Sequence, residues 1–309
     1  MALAHAYLGT SDFAATVLGV LAASDQRPAL VVTPPDRPAG RGRKLSPPPV
    51  ATLAAELGLP LHQTASVNDS ESVEAVRSSG ATVCSVCAFG QLIAEPLLSE
   101  LPMLNVHPSL LPRWRGAAPI ERAIMAGDEQ TGVAVMRLTA GLDSGPVAML
   151  EKLPIESADT YGTLAPRLAQ LGGELLSRAL AAFDAGTLEF SDQDEAGVTY
   201  AEKIGAGDRR LDPARPAAEL ELTVRALTPH IGAYFELAGG DRLGIRAARA
   251  IAGDAPGSPG TTRVEDDELI VACDQGELAI SVLQPPGKRA MPVADWLHGY
   301  EPPATVGSA

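Results

Sequence analysis

A short apolar run ends in Asn105-Val106-His107, meets Pro108 and Pro112, and gives way to a helix-like stretch over residues 119–126. Proline cannot extend a sheet ladder, so the run stops there and the loop after it is stiff. A strand, a rigid loop and a helix in that order place the loop at the carboxyl edge of a parallel sheet, where open α/β folds hold ligands. Asn105 and His107 lie two residues apart, so at a strand end both side chains leave on one face. The amide can donate to a developing oxyanion while the imidazole moves a proton near neutral pH.

The chain around this stretch alternates between two periodicities. Strands are expected at residues 3–8, 29–33, 82–88, 104–107 and 132–138, and helices at 13–23, 50–57 and 72–78. Strands alternating with helices imply a mostly parallel sheet with helices on both faces. Gly9 ends the first strand but belongs to no G-x-G-x-x-G, so there is no dinucleotide fingerprint. Gly141-Leu142-Asp143-Ser144-Gly145 makes a tight turn, and residues 147–150 return from it. Asp143 between glycines is an ordinary turn residue at first sight, and a lone His107 is as readily a packed one. Together with Asn105 they make an amide–imidazole–carboxylate set, in which the acid can orient the imidazole, raise its basicity, or accept a proton itself. Asp159 is expected to cap a long helix with the apolar stripe Leu164, Leu168, Leu171, Leu175 and Phe183, stopped by Gly186.

Residues 189–208 turn polar and irregular and read as a linker. Beyond it the pattern changes to one helix over 218–227 and short runs at 232–237, 242–251, 268–273 and 277–283, separated by turns such as 254–260. That is the pattern of a small β-barrel or sandwich. A length of 309 residues agrees with two domains, 1–188 and 209–309 about the linker. The net charge of −14 argues against a general nucleic-acid binder. No charged-then-apolar leader and no bilayer-length apolar run is present, so a soluble, cytoplasmic protein is expected, with no membrane and no DNA partner. A monomer is the expectation. Cys84 and Cys87 form a C-x-x-C inside the apolar run 81–89 and read as two buried thiols, facing opposite sides of a strand.

Residues 34–49 form a loop holding Arg37, Arg41, Arg43 and Lys44 in an otherwise acidic chain. Prolines at both ends and two glycines are expected to keep it free of helix or strand and mobile. It is either a solvated surface loop or a basic arm for phosphates, and its spacing is not that of a nucleotide P-loop.

Asn105-x-His107-x-Ser109-Leu110-Leu111-Pro112-x-x-Arg115-Gly116-Ala117-Ala118-Pro119 resembles the signature of the folate-dependent formyltransferases. The Ala-Ala-Pro ending and Trp114-Arg115 resemble the branch that acts on aminoacyl-tRNA. Segments 9–14, 35–42, 141–145, 200–204 and 283–288 are similar to that branch too, so the resemblance runs over nearly the whole chain. It implies a Rossmann-like, doubly wound catalytic domain followed by an oligonucleotide-binding-like barrel that contacts tRNA. It implies an enzyme that moves a formyl group from 10-formyltetrahydrofolate to the α-amino group of methionine on initiator tRNA, with no metal. Asn105, His107 and Asp143 would be catalytic. Phe89, Gly90, Gln91, Leu92 and Ile93, with Ser109, Leu110, Leu111 and Pro112, would hold the folate. The loop with Arg37, Arg41, Arg43 and Lys44 would enter the acceptor end of the tRNA, Arg41 matching the family's key arginine. The chain departs from the pattern where His230-Ile231 follows Pro229 in place of a tryptophan–proline pair, and where its C-terminal region carries more acidic than basic residues. The alternative within the family is a sugar nucleotide or other small amine as acceptor. Outside it, the alternative is a non-catalytic RNA-binding module, against which the complete Asn105, His107 and Asp143 set speaks.

Overall fold

The structure, a computed structural model, describes residues 3–39 and 44–307. The chain divides into two compact units: residues 1–119, 130–154 and 165–201, and residues 120–129, 155–164 and 202–309.

The first unit begins β1 (His5–Gly9), α1 (Asp12–Ala23), β2 (Leu30–Thr33), β3 (Arg37–Ala39), β4 (Lys44–Ser46), α2 (Pro49–Glu56), β5 (Leu61–Gln63), α3 (Ser70–Ser78) and β6 (Val83–Cys87). It continues α4 (Leu97–Glu100), β7 (Met103–His107), β8 (Arg115–Gly116), α5 (Pro119–Met125), β9 (Gln130–Arg137), β10 (Val147–Pro154), α6 (Tyr161–Asp184) and β11 (Tyr200–Ala201). Of these, α5 belongs to the second unit from Ile120 on, and α6 begins in the second unit and enters the first at residue 165. Local chemistry sets the starts: Ser11 accepts a hydrogen bond from the Ala14 amide at the head of α1, and Asp69 from the Ser72 amide at the head of α3. Asp159 lies two residues ahead of α6 and accepts from the Thr163 hydroxyl, 2.8 Å away.

The central sheet runs β10-β9-β7-β6-β1-β2-β5. The five strands from β7 to β5 are parallel, whereas β9 and β10 are antiparallel. The chain winds outward from β1 to β5, then returns to the other side of β1 as β6. That reversal is the switch point at which doubly wound sheets open a crevice beyond their carboxyl ends. The expected α/β architecture is therefore present, Rossmann-like in strand order.

Residues 34–49 hold a correction. β3 and β4 pair antiparallel, Arg37 with Ser46 and Pro38 with Leu45, so the segment is not free of strand. Proline is barred from the middle of a sheet, where its missing donor breaks a ladder, but a two-stranded ribbon is all edge and tolerates it. Gln63 on β5 anchors the ribbon's root, donating to Asp36 at 2.9 Å and to the Pro34 carbonyl at 3.3 Å. Residues 40–43, with Arg41 and Arg43, lie outside the described residues.

The second unit contains α7 (Ala206–Arg209), α8 (Ala217–Leu227), β12 (Ala233–Glu236), β13 (Arg242–Ile251), β14 (Thr262–Glu265), β15 (Glu268–Ala272), β16 (Glu277–Gln284), β17 (Met291–Pro292) and α9 (Val293–Leu297). Its sheet is antiparallel in the order β12-β13-β16-β15-β14, with β17 beside β16. Phe235, Leu243, Ile280 and Trp296 are core residues packed with Leu220 and Val224 of α8. β14, β17 and α9 have no counterpart in the sequence expectation, because four-residue and two-residue strands carry too little periodicity to read. The His230-Ile231 departure is absorbed locally: His230 stacks on Tyr161 with ring centroids 3.6 Å apart and meets Glu121 at 3.0 Å, and Ile231 packs against the core. No helix among the described residues is long and apolar enough to cross a membrane.

Helix α6 packs closely on β7 and on α1 through two glycines. A Cβ on Gly172 would come within 2.9 Å of Val106 on β7, and one on Gly173 within 2.6 Å of Val20 on α1. Alanine in a helix interior normally gains about 1 kcal/mol over glycine, while overfilling a packed contact costs about 1–3 kcal/mol. Gly173→Ala should therefore lower the thermal midpoint, and a raised midpoint would show that the seat is loose. His5 supplies a pH dependence. It is fully buried on β1, with Nδ1 3.0 Å from the Ser85 hydroxyl and Nε2 2.9 Å from the Gln26 carbonyl, and burial holds its pKa below 6.5. The unfolded chain then binds a proton where the folded one does not, so stability falls as pH drops through that value. His5→Gln should flatten this part of the curve of thermal midpoint against pH; an unchanged slope would remove His5 from the account.

Candidate active site

Strand β7 offers its alternate residues to two different surroundings. Val106 points to α6, as the Gly172 contact shows, so Asn105 and His107 leave on the other face. Both are buried in the sense that little of either is exposed, 8% for Asn105 and 5% for His107. The Asn105 amide makes no hydrogen bond to the described residues, so its donors remain to be used. The His107 ring is fixed at one nitrogen: Nε2 lies 2.8 Å from the Trp114 carbonyl, which can only accept. Nε2 therefore carries hydrogen, and Nδ1 is the atom left to work. Nδ1 faces Asp143 Oδ2 at 3.7 Å, within ion-pair range but longer than a hydrogen bond.

Asp143 comes from the turn between β9 and β10. Its φ of +44° lies in the left-handed region, which an Asp tolerates better than most side chains. Gly145 has no alternative there, since a Cβ would overlap the Arg137 carbonyl. The Asp143 carboxylate accepts from the Gly116 amide at 2.9 Å, so it is held by the loop that follows β7. The structure thus brings Asn105, His107 and Asp143 to one place at the carboxyl edge of the sheet.

Residues 191–201 hold this place together, and no periodicity marks them because they are polar and irregular; only Tyr200 and Ala201 fall in a segment similar to the family. Ser191 and Val147 exchange amide–carbonyl bonds at 2.8 and 2.9 Å. The Gln193 amide nitrogen donates to the carbonyls of Asp143 at 2.8 Å and Gly145 at 2.7 Å. Thr199 accepts from the amides of Trp114 through its hydroxyl, 2.8 Å, and of Arg115 through its carbonyl, 2.9 Å. β11 then pairs with β8, and Gly116 faces the Ala201 carbonyl so closely that a Cβ would come within 2.8 Å of it.

The two segments expected to hold folate leave neighbouring strands, β6 and β7, at the same edge. In 89–93, Phe89 and Ile93 are buried as a floor while Leu92 is 82% exposed. Gly90 has φ +75° and open space where a side chain would be. Gln91 is occupied: it accepts from the Val67 amide at 2.8 Å and donates to the Thr64 carbonyl at 3.0 Å, so it braces the loop. In 109–112, Ser109 is buried with its hydroxyl donated to the Arg113 carbonyl at 2.6 Å, and Leu111 is buried. Leu110 and Pro112 are half-buried. Both segments thus stand at the carboxyl edge that also carries Asn105, with Leu92 exposed and the position of the missing Gly90 side chain open.

Among the basic loop's described residues, Arg37 and Lys44 are exposed at the two ends of the β3–β4 ribbon. Cys84 and Cys87 are buried on β6, and burial pushes both thiols up to about 12. Such thiols stay protonated and unreactive, as expected of core residues. No group of three His, Cys, Asp or Glu side chains that could hold a metal ion occurs among the described residues.

The doubly wound sheet carries an amide, an imidazole and a carboxylate at its carboxyl edge, and comparison with known proteins gives the class, a formyl-group transferase. Residues 1–180 match the family model Formyl transferase, and residues 203–301 match Formyl transferase, C-terminal domain. The methionyl-tRNA formyltransferase of Methylobacterium sp. (strain 4-46) is 44% identical over 303 residues, 97% of each chain. That of Parvibaculum lavamentivorans is 43% identical over 298 residues, 96% of each. Among solved structures, HypX from Aquifex aeolicus in complex with tetrahydrofolic acid superposes with a TM-score of 0.65 at 16% identity, over 96% of this chain and 47% of that one. WlaRD, a sugar 3N-formyl transferase, gives 0.66 at 15% identity, over 94% and 100%, a likeness of fold alone. The chain belongs to the formyl transferase family and, within it, to the methionyl-tRNA formyltransferases.

Proposed function

We propose that the protein transfers the formyl group of 10-formyltetrahydrofolate to the α-amino group of methionine on initiator tRNA, in the cytoplasm, for the start of translation. The observation that carries the reading is the convergence of the Asn105 amide, His107 Nδ1 and the Asp143 carboxylate at the sheet's carboxyl edge. Similarity to methionyl-tRNA formyltransferases across 97% of the chain supports the choice of acceptor. The folate, when bound, supplies an electrophilic formyl carbon. Phe89 to Ile93 and Ser109 to Pro112 hold it, through the apolar floor, the exposed Leu92 and the open backbone at Gly90. Negative charge develops on the formyl oxygen as the amine attacks. The Asn105 amide and a protonated His107 Nδ1 donate to that oxygen from buried positions, where fixed dipoles act most strongly. Asp143 would take the proton the amine sheds and pass it to N10 of the folate as the formyl carbon–N10 bond breaks, so that tetrahydrofolate leaves as the neutral amine and the carbonyl re-forms.

Residues 1–188 are the catalytic part and residues 209–309 contact the tRNA, with 189–208 between them, of which 191–201 brace the site. We read the second unit's sheet as a small barrel of the oligonucleotide-binding kind. The support is β13, ten residues long and paired on both sides, whose register shifts near Ile245 and Ala247 bend a strand as closure requires. Arg37, Arg41, Arg43 and Lys44 serve the acceptor end of the tRNA, and the protein works as a monomer.

The acidic second unit nevertheless has a place for a phosphate. Arg209, Arg242 and Arg246 line one open pocket of about 530 Å³ with Tyr234. Arg242 lies over the Tyr234 ring at 4.5 Å and Arg209 at 5.9 Å. Arg209 donates to the carbonyls of Gly232 and Ile231, and Arg246 to the Gln284 amide oxygen, all neutral acceptors. Burial and the neighbouring Arg209 charge both hold the Arg246 pKa below its ordinary value, a penalty that a bound anion would relieve.

Formylmethionine produced from 10-formyltetrahydrofolate and charged initiator tRNA is the direct test; formylation of a sugar nucleotide instead would turn the reading to the small amine. Asn105→Ala and His107→Ala should each lower turnover about a hundredfold to a thousandfold while sparing folate binding. Asp143→Asn should fold, since Asn also accepts the left-handed backbone and the Gly116 hydrogen bond, yet be nearly inactive because an amide takes no proton. Turnover within a few-fold of the parent in these variants would remove the catalytic assignment. Replacing Arg209 and Arg246 by Ala should raise KM for tRNA and lower its salt slope by about one for each phosphate no longer neutralised. A slope equal to the parent's would mean that the pocket touches no phosphate.

A further inference from the structure

Buried arginines are rare, and one sits behind the candidate active site without touching it. Arg115 is 4% exposed, and its Nε donates to Gln193 Oε1 at 2.9 Å. Gln193 in turn spends both hydrogens of its amide nitrogen on the carbonyls of Asp143 and Gly145. We propose that Arg115 and Gln193 are positioning residues, which fix the backbone of the Asp143 turn and so aim its carboxylate at His107 Nδ1. The inference rests on the proposed role of Asp143.

A side-chain amide has two orientations, and its neighbours choose between them. Flipped, Gln193 would set its oxygen against two carbonyl oxygens and its nitrogen against a guanidinium. Arg115 forbids this, because its Nε–H has only the amide oxygen to meet. The clamp therefore has one direction, set by a charge nearly sealed from water. It acts where the backbone needs holding. Asp143 is in the left-handed region, which persists only where surroundings enforce it. Gly141 and Gly145 on either side bring no side chains that could lock the turn.

The loop after β7 therefore reaches Asp143 twice. Gly116 donates to its carboxylate directly, and Arg115, next in sequence, holds its main chain through Gln193. His107 is tied to the same loop by the Trp114 carbonyl. Imidazole and carboxylate are thus referenced to consecutive residues, 114 to 116, and the 3.7 Å gap between them is set by one short piece of backbone. The rest of the Arg115 guanidinium is poorly served. Nη2 is buried without a hydrogen bond, and Glu195 approaches it at 3.5 Å. That distance is an ion-pair contact at the outer limit of hydrogen bonding, and Glu195 is 83% exposed, so the pair is screened. A buried cation serving stability alone would be better paired.

The test is a double-mutant cycle read by kinetics. Gln193→Met keeps the volume and removes the clamp. It should lower kcat about a hundredfold, as misplacement of a reacting group by an ångström does, with KM for folate within about twofold. In an Asp143→Asn background the same change should cost little further, since residues acting as a unit are not additive. Gln193→Glu keeps the Arg115 contact but turns an acceptor toward the two carbonyls. Its loss should shrink as pH falls and the introduced carboxyl gains a hydrogen to donate, a recovery that a merely structural role would not give. Thermal midpoints and folate affinity of each variant separate misfolding from misplacement, and Gln193→Glu stands in if Gln193→Met fails to fold. Gln193 variants at parental kcat, with Asp143→Asn inactive, overturn the positioning role alone. Full additivity in the cycle overturns it too. Asp143→Asn at parental turnover overturns the proposed role of Asp143 and this inference with it.

Discussion

A strand has two faces, and in β7 both are committed. One face gives Val106 to α6, and the close approach there is possible only because Gly172 has no side chain. The other gives Asn105 and His107 to the carboxyl edge. A one-residue slip of β7 would exchange these faces, putting an imidazole under the helix and a valine in the site. The register to β6 and β9, Asn105 opposite Val86 and Met136, excludes that slip. The site is accurate because the core behind it is tight.

Polar groups around the site follow a second constraint, that a buried donor or acceptor has a partner or a use. His107 Nε2, Ser109, Gln91, the Gln193 amide nitrogen and Thr199 all spend hydrogen bonds on backbone of the first unit. They hold loops that carry no regular structure of their own. The Asn105 amide and His107 Nδ1, at the carboxyl edge, make no hydrogen bond within the described residues, and behind them Arg115 Nη2 is buried without one as well. What a scaffold leaves unsatisfied is what a substrate can meet.

Charge is distributed to the same end. With a net charge of −14, the chain repels a polyanion at long range, so affinity for one must come from local contacts. Among the described residues, Arg37 and Lys44 of the β3–β4 ribbon and the pocket arginines Arg209, Arg242 and Arg246 have no carboxylate partner. Other arginines are already spent, as with Arg122, which is bidentate to Asp208 at 2.7 and 3.1 Å.

The sequence by itself determined what local periodicity and backbone chemistry control. The strand–helix alternation, the stop at Pro108, the shared face of Asn105 and His107 and the buried thiols on β6 all follow from interactions within a few residues. Tertiary structure decided what depends on distant partners. Asp143 stands thirty-six residues from His107, and only the antiparallel return of β9 and β10 brings it to Nδ1; apart from the family signature, its sequence surroundings mark it as a turn residue. Gln193, Thr199 and the strand in β11 lie in a stretch with no periodic signal, because their hydrogen bonds go to Trp114, Arg115 and the 143–145 turn rather than to near neighbours. The ribbon of β3 and β4 is illegible for the opposite reason: its prolines argue against a sheet interior, and whether a strand is interior or edge is fixed by the fold alone.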